Sequence, residues 1–137
     1  MKRNSIRAFT LVEILVVVAI IGLLAGLFLS GAGSSFDRAQ TKIAGSMVND
    51  SYKTSFVRYK IDMGDYPSTA DGLNALITAP ASAGDRWHGP YAEKVVPDPW
   101  NEPYQYRYPG THNKGSYDLY SKGPDKVEGT GDDIGNW

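Results

Sequence analysis

From position 9 to position 29 the chain reads Phe9-Thr10-Leu11-Val12-Glu13-Ile14-Leu15-Val16-Val17-Val18-Ala19-Ile20-Ile21-Gly22-Leu23-Leu24-Ala25-Gly26-Leu27-Phe28-Leu29, apolar or glycine everywhere except Thr10 and Glu13. As an α-helix this run is about 30 Å long, the hydrocarbon thickness of a bilayer. Beyond it the pattern becomes periodic. Phe36, Ala39, Ile43, Met47, Val48, Tyr52, Phe56, Tyr59 and Met63 recur mostly at steps of three and four, with Asp37, Arg38, Lys42, Asn49, Asp50, Lys53 and Arg58 on the other faces. That spacing predicts an amphipathic helix from about Ser34 to Asp62, stopping at Gly64 ahead of Pro67, with its apolar stripe as a core face. Gly22, Gly26, Gly31 and Gly33 each lower helix propensity by roughly 1 kcal/mol against Ala, which gives the join a place to bend or melt.

The second half reads differently. Ser68-Thr69-Ala70-Asp71 has the form of a capping box, and Gly72–Ile77 then predicts a short helix stopped by Pro80. From Pro80 to Pro103 the density of proline excludes a central strand. Strands are predicted at Tyr104–Tyr108 and Tyr117–Ser121, joined by a turn over Pro109–Gly115, with a third short strand at Ile134–Trp137. The fold class is α+β: a small antiparallel sheet and a short second helix packed on one long N-terminal helix. Its segments are a leader at 1–8, an apolar helix at 9–29, its amphipathic continuation at 30–63, and a globular domain at 64–137.

Charge sharpens this picture at both ends. The net charge of −1 over 137 residues gives no electrostatic case for nucleic acid. Lys2, Arg3 and Arg7 precede the apolar run, which places that end in the cytoplasm and the chain from Ser30 onward across the membrane. The run suits a signal peptide or a signal anchor, but its length and its acid argue against a signal peptide. A carboxylate in a bilayer costs about 2.5–3.5 kcal/mol at the helix centre and less toward the edge, so Glu13 calls for a cationic partner. At the other end, Ser121–Asp133 holds Asp125, Glu128, Asp132 and Asp133 among three glycines, either a solvated acidic loop or a site for a hard cation. It lacks the acid spacing of an EF-hand. Cysteine is absent, and His88 and His112 lie in predicted loops. No nucleophile elbow, phosphate loop or zinc spacing occurs, so catalysis is not expected.

Ala8-Phe9-Thr10-Leu11-Val12-Glu13, behind a short basic leader and ahead of unbroken apolar residues, resembles the N-terminus of type IV pilins and pseudopilins. The resemblance implies cleavage by a prepilin peptidase between Ala8 and Phe9, where the family usually has Gly before the cut, and N-methylation of Phe9. It also supplies the partner of Glu13, the amino group of Phe9 on a neighbouring subunit. Such an ammonium–carboxylate pair recovers part of the cost of burial and can fix the register of packed helices.

A second set of residues is more specific. Asp71–Leu76 with Pro80, Gly89-Pro90-Tyr91, Asp98–Tyr106, Tyr117–Ser121 and Asp133–Trp137 stand in the order found in the G-type major pseudopilins of type II secretion. The resemblance implies a type IV pilin-like fold and a structural subunit that polymerises into a periplasmic pseudopilus driving export of folded proteins. It implies storage as a single-pass inner-membrane protein with its C-terminal domain in the periplasm. Its expected partners are copies of itself, minor pseudopilins, the prepilin peptidase and an inner-membrane assembly platform. It further implies a Ca²⁺ in the C-terminal loop, held by the carboxylates of Asp125 and Asp132 and the carbonyls of Lys122, Val127 and Thr130, with Asp133 as an additional ligand. The alternatives are a type IV pilus major pilin, for adhesion, motility or DNA uptake, and a binding protein on an uncleaved anchor.

Overall fold

The computed structural model describes residues 10–137, the side chains at 28–34 excepted, in two units, Met1–Asp37 and Arg38–Trp137. Helix α1 spans Leu11–Ser46 and is continuous through Gly22, Gly26, Gly31 and Gly33. Thr10 starts it. Its carbonyl accepts the amides of Glu13 at 3.1 Å and Ile14 at 3.3 Å, and its Oγ1 accepts the Glu13 amide at 3.2 Å. Every large apolar side chain described between Leu11 and Leu27 is about half exposed or more, around the whole circumference of the helix.

The amphipathic stretch is helical as its spacing predicts, with one interruption. A π-helical turn at Met47–Ser51 separates α1 from α2 (Tyr52–Met63). The polar side chains of this stretch compete for its backbone. Asn49 Nδ2 donates to the Gly45 carbonyl at 3.1 Å, and Thr54 Oγ1 donates to that of Asp50 at 3.0 Å. Side-chain bonds of this kind, inserted into the helical ladder, are a common cause of a widened turn. Helix α2 stops at Gly64, which takes φ 89°, the left-handed C-cap conformation that glycine adopts without strain.

Val48, Tyr52, Phe56 and Tyr59 face the core of the second unit. Phe56 is fully buried, with the ring of Tyr117 at 4.4 Å, Tyr106 at 5.0 Å and Tyr66 at 6.5 Å. Phe36 and Ile43, placed on the same face by periodicity, are instead 64% and 56% exposed. The physical reason for Ile43 is that burial on this helix begins only at Ala44.

The sheet is antiparallel, in the order β1 (Gln105–Arg107), β2 (Asp118–Ser121), β3 (Ile134–Gly135). Its register pairs Tyr106 with Leu119 and Tyr120 with Gly135. All three strands fall inside the predicted ranges. The expected short second helix is a 3₁₀ turn at Gly72–Leu76, and its start is held by Ser68, whose Oγ accepts the Asp71 amide at 3.1 Å and donates to Asp71 Oδ2 at 2.6 Å. A second 3₁₀ turn, Gly84–Arg86, lies in the proline-rich stretch read as loop.

Candidate functional site

Two places carry the expected chemistry: the start of α1 and the loop between β2 and β3. At the first, Glu13 sits in the opening turn of α1, where the positive end of the helix dipole favours an anion. Thr10 and Glu13 have the Ser/Thr-x-x-Glu spacing of a capping box, a signal that the charge reading of Glu13 passed over. Only half of that box is formed. The Glu13 carboxylate accepts no hydrogen bond from any described residue, while its amide is capped. Ala8 and Phe9, the expected cleavage pair and the expected methylation and assembly residue, lie outside the described residues. Among the described residues no helix is long and apolar enough to cross a membrane. The Phe9–Leu29 run on which that expectation rests extends past the described side chains at both ends.

The second place is the segment 122–133. Gly123 takes φ 69° and packs against the far end of the loop, where a Cβ on it would fall 2.3 Å from the Asp132 carbonyl. Across this contact the Asp125 amide donates to Asp132 Oδ2 at 3.2 Å, and Asp125 Oδ1 accepts the Val127 amide at 2.8 Å. The Thr130 hydroxyl bonds Asp132 Oδ1 and lies 3.0 Å from the Val127 carbonyl. The Thr130 bond, with the Asp125 amide behind it, holds the Asp132 carboxyl below the usual carboxylate range. The expected ligands Asp125, Val127, Thr130 and Asp132 are therefore brought together, with Lys122 next to Gly123 at the loop entry.

Asp133 faces elsewhere. It lines a cavity of about 80 Å³ with Tyr120, Glu128 and Trp137. Its Oδ2 accepts the Gly129 amide at 2.7 Å, and its Oδ1 is buried without a described hydrogen-bond partner. Among the described residues no three acidic or histidine side chains converge, so a cation here needs backbone carbonyls as well. The donor set, carboxylate and carbonyl oxygens in a glycine-rich loop, fits a hard ion of the calcium type.

Two buried aspartates that the sequence did not single out hold this end of the sheet. Asp98 Oδ1 accepts the amides of Trp100 at 3.0 Å and Glu102 at 2.8 Å, and its Oδ2 accepts the hydroxyl of buried Ser121, the last residue of β2. Asp118 Oδ2 accepts the amides of Thr111 at 2.6 Å and His112 at 2.9 Å and the Thr111 hydroxyl at 3.0 Å, while its Oδ1 accepts the Asn113 amide at 2.9 Å. Beside them Asn136 accepts the Leu119 amide at 3.0 Å and donates to the Tyr117 carbonyl at 3.0 Å. Trp137 stacks on His112 at 3.9 Å, so this histidine is engaged rather than simply solvated.

Burial raises the pKa of Asp118, but the amides and the hydroxyl together outweigh it and bring the carboxyl down to about 2. A depressed folded-state pKa gives stability that is fully present above the unfolded value of about 4 and lost as pH falls through about 2. Asp118→Asn is expected to cost about 2–4 kcal/mol at pH 7, because its amide group faces N–H donors. Chemical unfolding from pH 7 to pH 2 checks this: the gap between native and variant should close across that window.

Comparison with known proteins follows the same division of the chain. A family model described as type II secretion system (T2SS), protein G, matches residues 33–137, and one described as the prokaryotic N-terminal methylation motif matches residues 3–29. The type II secretion system core protein G of Pseudomonas aeruginosa is 42% identical over 143 residues, covering 100% of this chain and 99% of that protein. That of Klebsiella michiganensis is 40% identical over 141 residues, covering 100% and 96%. Among solved structures, the major pseudopilin from the type 2 secretion system of enterohaemorrhagic Escherichia coli superposes with a TM-score of 0.66 at 33% identity, covering 76% of this chain and 87% of that one.

Proposed function

The chain belongs to the type II secretion system protein G family, and we propose that Glu13 is the residue through which its copies assemble. It is a subunit of the type II secretion pseudopilus, a structural rather than enzymatic part, in a membrane-associated periplasmic assembly. The observation that carries the assembly reading is the helix from Leu11 to Leu27, apolar on every side, with one acid in its first turn that has no cationic partner among the described residues. A helix that is apolar all round is buried by lipid or by other helices. In the membrane it is a single-pass anchor in the inner membrane with the globular domain in the periplasm, and in the fibre it is packed by its copies.

Prepilin peptidase cuts between Ala8 and Phe9 and the new amino group is methylated. That group then meets Glu13 of a neighbouring copy. Before the cut no such amino group exists, so the contact is conditional on processing. Minor pseudopilins and an inner-membrane assembly platform are the other partners of this cycle. Intact mass measurement of the membrane-extracted chain tests the sequence of events: the expected species begins at Phe9 and carries one methyl group, whereas a pool beginning at Met1 contradicts it.

Calcium is the proposed ion of the 122–133 loop, held by Asp125 and Asp132 and by the carbonyls of Lys122, Val127 and Thr130, with Asp133 turning in as a further donor. Its charge offsets the repulsion of clustered carboxylates and closes the loop against the sheet. Removing calcium by chelation is expected to lower the melting temperature of the full chain in detergent by about 5–15 °C, a loss of about 2 kcal/mol. The drop should vanish in Asp125→Ala and Asp132→Ala, and a melting temperature indifferent to calcium in all three proteins overturns the proposal.

A further inference from the structure

Residues outside the expected ligand set determine how the 122–133 loop starts. Ser121 is fully buried, and its Oγ does two things at once: it donates to Asp98 Oδ2 and accepts the Gly123 amide at 3.1 Å. Gly123 is the residue that packs on Asp132. Asp98 is itself 4% exposed and locked by the amides of Trp100 and Glu102, by the return bond from its own amide to the Glu102 carbonyl at 2.8 Å, and by the turn through Asn101 at φ 65°. The turn 98–102 reaches the loop a second time, where Glu102 pairs with Lys126 at 3.2 Å. It is also tied to the long helix, since Gln40 Nε2 donates to the Pro99 carbonyl at 3.1 Å.

We propose that Asp98 and Ser121 are positioning residues for the cation loop: their buried hydrogen-bonded pair seats Gly123 on Asp132 and so brings the segment carrying Lys122 and Asp125 to the one carrying Asp132. The inference rests on the calcium reading above. A serine hydroxyl has one proton and two lone pairs, so giving the proton to Asp98 leaves an oxygen lone pair aimed at the Gly123 amide. Ser121→Ala deletes both bonds in one step. Asp98→Asn keeps the shape and one acceptor, but its amide group competes with the donors that surround it. The exposed Glu102–Lys126 pair contributes little by comparison.

The test is calorimetric titration of calcium chloride into the full chain in detergent micelles, paired with melting in chelator and in saturating calcium. Removing a residue that orients metal ligands typically weakens affinity 10–100-fold. Ser121→Ala and Asp98→Asn are therefore expected to bind calcium about tenfold more weakly, and calcium should raise their melting temperature less than it raises that of the native chain. A merely structural role would lower the melting temperature equally in chelator and in calcium and leave affinity unchanged, which overturns the proposal. If Ser121→Ala does not fold, the affinity of Asp98→Asn decides in the same way. A native chain that takes up no calcium overturns the calcium reading itself, an outcome distinct from native binding that both variants retain.

Discussion

Replacing Phe56 by Ala is expected to lower the unfolding free energy of the Arg38–Trp137 unit by about 3–5 kcal/mol. Phe56 is fully inaccessible and sits where the helix meets the sheet, with Tyr106 of β1 and Tyr117 just before β2 against its ring. Truncation removes the transfer free energy of a benzyl group and leaves a cavity walled by tyrosines. The ring of Tyr106 is held in place by its hydroxyl, which bonds the Pro67 carbonyl at 2.8 Å. A ring held in this way cannot collapse into the gap. A domain of this size has about 5–15 kcal/mol in total, so the variant should melt on the order of 15 °C lower. Near-ultraviolet circular dichroism of the full chain in detergent reads the transition. Ile61→Ala, on the same helix but 75% exposed, is the control and should stay within about 0.5 kcal/mol.

Replacing Glu13 by Ala is expected to abolish fibre assembly while leaving membrane insertion intact. Insertion should become slightly easier, since an acid near the edge of an apolar span carries a cost that Ala does not. Assembly behaves in the opposite way. Removing one partner of a buried ion pair costs about 3–5 kcal/mol, because the other charge is left uncompensated among packed helices. In a fibre that penalty recurs at each subunit. Glu13→Gln, which keeps the shape and an acceptor, should assemble poorly rather than not at all. Electron microscopy of fibres, with membrane fractionation alongside, separates the two steps.

Much of this was readable from spacing alone. The 3.6-residue rhythm from Val48 to Met63 marked the helix and the core face, and Gly64 marked its end. Alternating aromatic residues around Tyr106 and Leu119 marked the strands, and Ser68 with Asp71 marked the capped turn. These signals are local. The π turn at Met47–Ser51 was not legible, because apolar periodicity does not register which polar side chains bond the backbone. Asp98 and Asp118 escaped for a different reason. Each lies in or beside a proline- or glycine-rich stretch that reads as solvated, yet Asp98 is closed over by Ser121 of β2 and Asp118 by the turn at Thr111–Asn113. Phe36 and Ile43 show the reverse limit, since periodicity predicts a face but not whether the fold covers it. The cleavage site and the G-type branch came from resemblance, and the matching family models and relatives bear out the branch.

The central claim is that this chain serves protein export as a polymer built through Glu13. It is tested most directly by deleting its gene and measuring secretion of type II substrates after complementation with the native chain or with Glu13→Ala. Secretion should be lost on deletion, restored by the native chain, and not restored by Glu13→Ala present in the membrane at equal abundance. Secretion that persists without the chain, or full rescue by Glu13→Ala, would contradict it.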